Sequence, residues 1–221
     1  MKRLMFVPLV MLSFAAFALA DDKAAADKPA DKPAADKDGW VSLFDGKTLE
    51  GWKANEHAEN WKVEEGCIVG RGPRSHLFCT AGDFTDFEFS TEVMTEKGSN
   101  SGIYFHTEFQ KDGWPEKGHE CQVNVTHGDP VKTGSLYNVK KVYKTEAKDG
   151  EWCTQTIKVE GKHITISVNG KVVVDYTEPD DVKGGRKLSK GTFAFQQHDP
   201  SGVVRYRNVK VRKLDAKKLA E

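Results

Sequence analysis

From Trp40 to Leu214 the chain alternates apolar and polar residues in short runs separated by glycine-bearing turns. The pattern is clearest in Asn100-Ser101-Gly102-Ile103-Tyr104-Phe105-His106 and in His119-Glu120-Cys121-Gln122-Val123-Asn124-Val125. A period of two is that of a strand with one face on a core. In the second run Cys121, Val123 and Val125 fall on one side and Glu120, Gln122 and Asn124 on the other. Neighbours on one face are about 7 Å apart. In the first run Ile103 and Phe105 oppose Tyr104 and His106. If the polar sides of the two strands coincide, an acid, two amides, an imidazole and a phenol share one surface.

The same alternation predicts further strands. Short ones are expected at 61–64, 67–70, 76–80 and 134–137, and a long one runs from Phe84 to Met94. Others are expected at 151–160, 162–168, 171–176, 191–199 and 203–214. Asn169-Gly170 is a strong hairpin signal. In the strand after Gly191, Phe193 and Phe195 point to the core while Gln196 and His198 share the opposite face. Trp40, Leu43, Phe44, Leu49 and Trp52 are read as an apolar plug over a sheet edge. About a dozen strands with no helical period predict an all-β fold. Its architecture would be an antiparallel two-sheet sandwich with a hollow face able to hold a ligand.

The ends read differently. Lys2 and Arg3 precede an apolar run from Leu4 to Ala20 that closes on Ala18-Leu19-Ala20, the layout of a signal peptide over 1–20. Residues 21–38 repeat Ala, Lys, Asp and Pro without an aromatic group and are expected to be a disordered linker. This leaves a domain over 39–214 and a short tail, 215–221. A secreted or periplasmic location follows, with no membrane span after signal cleavage. Lys+Arg and Asp+Glu balance at 33 each, which gives no basic excess for a nucleic-acid partner. The four cysteines form no C-x-x-C motif. Cys67 and Cys79 flank the turn Arg71-Gly72-Pro73-Arg74 and are expected either to bridge across it or to remain buried thiols.

Several readings of the polar set compete. Each residue alone is an ordinary outward group of a half-exposed strand, but three strands would each place two polar groups on one face. A glycoside hydrolase of the β-sandwich laminarinase type carries two carboxylates on one strand, four residues apart, to flank the anomeric carbon. Here Glu120 is followed by Asn124, which cannot take and return a proton in that role. A lectin-like carbohydrate-binding module needs only amides, a carboxylate and an aromatic platform.

The sequence also resembles the 3-keto-disaccharide hydrolase family over 39–214. The resemblance is carried by Leu43-Phe44-Asp45-Gly46-Lys47-Thr48-Leu49-Glu50-Gly51-Trp52, Asp86-Phe87-Glu88, Asn100-Ser101-Gly102-Ile103-Tyr104 and Gly118-His119-Glu120-Cys121-Gln122. Gly134-Ser135-Leu136-Tyr137, Val168-Asn169-Gly170, Phe195-Gln196-Gln197-His198 and Arg207-Asn208-Val209 follow in the same order. This chain departs from the family's common pattern at His106, Cys153 and Asn124. The resemblance implies a concanavalin A-like jelly roll acting on an oxidised glycan or small glycoside with a ketone at C3. Such a ketone acidifies the C2 hydrogen, so one base, one acid and a group that polarises the ketone are sufficient for β-elimination of the C1 substituent. Glu120, His198 and His106 are the expected catalytic residues, histidine suiting proton transfer near neutral pH. Tyr104, Gln122, Asn124, Tyr137 and Gln196 are the expected sugar-binding groups. A divalent metal ion on Glu120, His198 and His106 is a second way to polarise the ketone.

Overall fold

In the computed structural model, which describes residues 34–214, the alternating runs become thirteen strands in two stacked sheets. The expected leader, the linker up to residue 33 and the tail 215–221 lie outside the described residues. Among the described residues no helix is long and apolar enough to cross a membrane.

The strands are β1 (Val41–Ser42), β2 (Trp52–Ala54), β3 (Trp61–Glu64), β4 (Cys67–Arg71), β5 (Ser75–Cys79), β6 (Phe87–Thr95) and β7 (Asn100–Thr107). They continue as β8 (His119–Asn124), β9 (Cys153–Glu160), β10 (His163–Val168), β11 (Lys171–Thr177), β12 (Thr192–Gln197) and β13 (Val203–Lys213). The larger sheet runs β11-β10-β9-β6-β13-β4-β3 with β1 alongside β13, and the smaller runs β2-β5-β12-β7-β8. Every strand pairing is antiparallel. The expected strand at 134–137 is instead an irregular segment bridged at Leu136 to Cys121, along the free edge of β8.

The core between the sheets is aromatic. Trp52 stacks on Phe195 with ring centroids 4.9 Å apart, and Phe195 stacks on Tyr206 at 3.8 Å. Trp52 is therefore core rather than a ligand platform, and its indole N–H donates to the Leu43 carbonyl. The Tyr206 hydroxyl lies 2.7 Å from Ser101 Oγ, which itself donates to the Gln196 carbonyl, so a polar bond ties the two sheets through this core.

The two sheets differ in what covers them. On the larger sheet β9 shows strict buried/half-buried alternation, as an antiparallel sheet with one wet face should. Glu88 and Glu92 lie on that wet face and pair with Arg212 and Arg207 of β13 across the ladder. On the smaller sheet every residue of β5, β7, β8 and β12 is buried. Its outer face is roofed by the long connections 108–118, 125–152 and 178–191. The polar residues on that face are thus not solvated ends of half-exposed strands.

Two expectations are corrected. The run Cys67 to Cys79 is not one hairpin: β4 belongs to the larger sheet and β5 to the smaller, so the Gly72-Pro73 turn arches between sheets. All four cysteines are free and buried. Second, β7 carries a bulge. Thr107 pairs with Thr192 and Tyr104 with Ala194, so Phe105 and His106 together face the single residue Phe193. His106 takes up the irregularity with φ +55°. The alternation slips there, and the His106 ring packs against Phe87 with Phe105 instead of following Tyr104 to the outer face. With no disulfide to reduce, reductant is expected to leave the thermal midpoint unchanged. A thiol titration in denaturant without reductant should count all four cysteines.

Candidate functional site

The polar groups on the outer face of the smaller sheet converge on a cavity of about 250 Å³. β7 supplies Asn100 and Tyr104, β8 supplies Glu120 and Gln122, and Gln196 and His198 come from β12 and its end. The roof adds Trp114, Asp129, Tyr137 and Arg186. Six of the eight expected site residues are therefore brought together. His106 is excluded by the bulge. Asn124 lies on the expected face, but its amide donates to the carbonyls of Asp129 and Val131 and so holds the loop that presents Asp129.

Glu120 sits at the centre and is 4% exposed. Its partner across the ladder is Tyr104, and room for its side chain comes from the diagonal neighbour on β7, Gly102, which pairs with Gln122. A β-carbon at that glycine would stand 2.3 Å from Glu120 Oε1, so any larger residue there would occupy the carboxyl's place. Gln196 Nε2 donates to Glu120 Oε1 at 3.2 Å and to the Tyr104 hydroxyl at 3.0 Å. Arg186 Nη1 is 4.0 Å from Glu120 Oε2, and its guanidinium lies over the Tyr104 ring. Burial dominates this balance: it raises the Glu120 carboxyl to about 7 against the opposing pull of Tyr104, Arg186 and Gln196. The Tyr104 phenol is pushed well above its ordinary value by burial and by the Glu120 charge. Near neutral pH Glu120 can therefore hold or release a proton. Gln196 Oε1 is buried and has no hydrogen-bond partner among the described residues.

Arg186 is the one permanently charged cation lining this cavity, and its placement depends on buried groups below it. The His119 ring lies against Phe105 and its Nε2 meets Glu178 Oε2 at 2.8 Å. Glu178 accepts the Leu188 N–H, and His106 Nδ1 accepts the Ser189 N–H. The Gly118 N–H donates to the Gly185 carbonyl, beside Arg186. Gly118 has φ +75° and a β-carbon there would strike the Phe105 carbonyl oxygen, so only glycine fits. Desolvation lowers the pKa of both His106 and His119 despite the neighbouring acceptors, so both are neutral supports of the 178–191 connection.

On the opposite wall His198 Nδ1 lies 2.8 Å from Asp199 Oδ2, and His127 Nε2 is 3.9 Å from the same oxygen. These three side chains are the one group among the described residues with donor atoms close enough to share a metal ion. The expected set of Glu120, His198 and His106 is not assembled. The hydrogen bonds oppose ligation by His127: its Nδ1 accepts the Asp129 N–H at 3.1 Å, which leaves the ring proton on Nε2 and no lone pair facing Asp199.

Arg186, Asp129, Asn100 and Trp114 were not singled out as site residues. Asn100 and Trp114 stand inside stretches that the sequence marks, a strand start and a Gly/Pro-bearing loop. Arg186 and Asp129 sit in polar loops with no pattern to set them apart.

The sequence profile of the 3-keto-alpha-glucoside-1,2-lyase-like domain matches residues 39–212. The chain belongs to this family. It is 28% identical to the 3-keto-disaccharide hydrolase of Bacteroides thetaiotaomicron, over 81% of this chain and 80% of that protein. Among solved structures it resembles a Parabacteroides distasonis protein inferred to be a glycosyl hydrolase, at 24% identity and TM-score 0.70, covering 80% of this chain and 95% of that one. A carbohydrate-binding module from Bacillus subtilis shares the fold at 16% identity and TM-score 0.56, over 74% of this chain and 96% of that module. Family membership and these likenesses agree with the jelly-roll sandwich.

Two outcomes follow from the packing around Glu120. Its carboxyl is raised in the folded state above its ordinary value near 4.5. The associated stability is present below the unfolded pKa and is lost as pH rises through about 7. Glu120→Gln is therefore expected to be more stable than wild type at pH 8, by on the order of 2–3 kcal/mol, with the difference closing toward pH 5. Urea unfolding of both proteins across this range checks it. Gly102→Ala is expected to cost about 1–3 kcal/mol in the same assay, because a β-carbon there crowds the Glu120 side chain, which can yield only by leaving its Gln196 bond and swinging into the cavity.

Proposed function

We propose that this protein hydrolyses glycosides whose sugar ring carries a ketone at C3. The observation that carries the reading is the convergence of Glu120, His198 and Arg186 on one small, polar, walled cavity. Drug-sized ligands occupy pockets of about 300–1,000 Å³. A cavity of about 250 Å³ suits one sugar ring with its substituent projecting outward. Gln122, Asn100 and Asp129 supply polar groups of the kind that sugar hydroxyls need. The match to the Bacteroides 3-keto-disaccharide hydrolase supports the 3-keto substrate class.

The groups divide naturally by role. His198 takes the hydrogen from C2 as a proton, and the C–H electrons form the C2–C3 double bond of an enolate. Arg186 stabilises the negative oxygen at C3, charge stabilisation of the kind that dominates many enzymes. The enolate then collapses: the ketone re-forms, a double bond forms between C1 and C2, and the bond from C1 to the leaving oxygen breaks. Glu120, a carboxylic acid near neutral pH, gives that oxygen its proton. Water next adds across the double bond. Glu120 carboxylate takes a proton from the water, the hydroxyl joins C1, and the His198 imidazolium returns a proton to C2. Both residues end as they began, and the net reaction is hydrolysis.

A binding module needs none of this proton chemistry, and a desolvated acid is a poor choice for gripping hydroxyls. The leader-like first twenty residues support an exported protein meeting its sugars outside the cytoplasm. Incubation with a 3-keto-glucoside, reading released aglycone, tests the reading. Glu120→Gln and His198→Ala are each expected to abolish release with the fold intact, and Arg186→Ala to lower kcat about 10²–10³-fold. Saturable sugar binding without product from the wild-type protein would assign it to the binding class instead.

A further inference from the structure

We propose that Asp199 is a positioning residue that fixes the tautomer of His198 and so makes its Nε2 the base of the site. The inference rests on the reading of the cavity as a proton-abstraction site. Asp199 does not line the cavity, and nothing in the alternation of the sequence marks it.

A carboxylate can only accept. The 2.8 Å contact of Asp199 Oδ2 with His198 Nδ1 therefore places the ring proton on Nδ1. A neutral imidazole carries one such proton, so the lone pair is on Nε2. Among the described residues no hydrogen bond reaches Nε2, and the His198 ring borders the cavity. Had the proton been on Nε2, the ring would offer the sugar a donor and could not take the C2 proton.

Asp199 is itself held on both sides. Its Oδ1 accepts the Ser201 N–H at 2.9 Å and the Ser201 hydroxyl. Its backbone carbonyl accepts Gln197 Nε2 at 2.7 Å. From the other direction the Asp129 N–H and the Asn100 amide both point at His127 Nδ1, which turns the protonated Nε2 of His127 toward Asp199 Oδ2. Burial would raise the Asp199 carboxyl, but the bonds from Ser201 and His198 hold it below its ordinary value, so it stays ionised and acceptor-only. The His198 ring is also fixed in place, with Trp114 at 5.2 Å and His127 at 5.6 Å between centroids. Asp129 and Asn100 thus border the cavity and also orient the second imidazole behind it.

In the reaction the C2–H bond breaks, its proton goes to His198 Nε2, and the electron pair enters the enolate. The imidazolium that forms carries two N–H groups, one still on Asp199. That carboxylate stabilises the cation without taking its proton, and the same proton later returns to C2.

The test uses the full protein with ¹⁵N-labelled histidine at pH 8. Two-dimensional NMR through the ring protons distinguishes the two neutral tautomers directly. His198 is expected as the Nδ1–H tautomer in wild type and as a mixture in Asp199→Asn, whose amide can either accept or donate. With a 3-keto-glucoside, Asp199→Asn is expected to lose kcat about 10–100-fold with KM within twofold. Asp199→Glu, which keeps a carboxylate, should regain part of that loss. An Nε2–H tautomer in wild type overturns the proposal whatever the kinetics. So does an Asp199→Asn protein with unchanged kcat. If wild type turns over no 3-keto-glycoside, the proposed function fails, and the tautomer measurement still decides the role of Asp199.

Discussion

A carboxyl group sealed from water is the constraint around which this structure is arranged. Burying Glu120 is unfavourable for its charged form, and the fold does nothing to relieve this with a close ion pair: the nearest guanidinium atom stands 4.0 Å away. Instead the strands on either side make space and modest hydrogen bonds. Gly102 gives up its side chain to admit the carboxyl, and Gln196 shares one amide between Glu120 and Tyr104. The roof follows from the same requirement. An antiparallel sheet ordinarily leaves one face wet, as the larger sheet here does. The inner strands of the smaller sheet are buried on both faces, because three long connections fold over the outer one and leave only the cavity.

Much of this was legible as alternation and some was not, for reasons that can be named. Period-two patterning put Tyr104, Glu120, Gln122 and Gln196 on one face because they lie in regular ladder, where facing is fixed by counting. His106 lies one step past a bulge, and a bulge shifts the count by one without leaving a mark in composition. Cys67 and Cys79 were open to a disulfide reading because a Gly-Pro turn looks the same whether it closes a hairpin or arches between sheets. Asn124 faces as counted, yet its amide is consumed by loop carbonyls that no pattern could reveal. Arg186 enters from a connection whose path is set by tertiary contacts rather than by its own residues.

The misplaced histidine shows how the two layers cooperate. His106 and His119 are buried on the core side, neutral, and bonded to the connection that bears Arg186. A charged support there would have been costly to bury, and an apolar one would have left the Ser189 N–H without a partner and Glu178 with the Leu188 N–H alone. The strands thus fix the groups that line the cavity floor. Buried polar anchors transmit the same rigidity to the loop-borne cation.

The two proton-transfer candidates sit in opposite surroundings, and this argues for different roles. Glu120 is desolvated, raised to about 7, and surrounded by neutral donors, so it favours the protonated form more than a surface acid would. His198 is half-buried at the rim, its Nδ1 committed to an ionised carboxylate and its Nε2 unclaimed. A desolvated carboxyl that holds its proton and an imidazole nitrogen with a free lone pair are complementary, one able to give a proton and the other to take one. The asymmetry also fixes direction. In the proposed reaction the base stands at the half-buried wall, where the ionised Asp199 stabilises the positive charge it gains. The proposed acid lies deeper, where burial favours its protonated form until the leaving oxygen takes the proton.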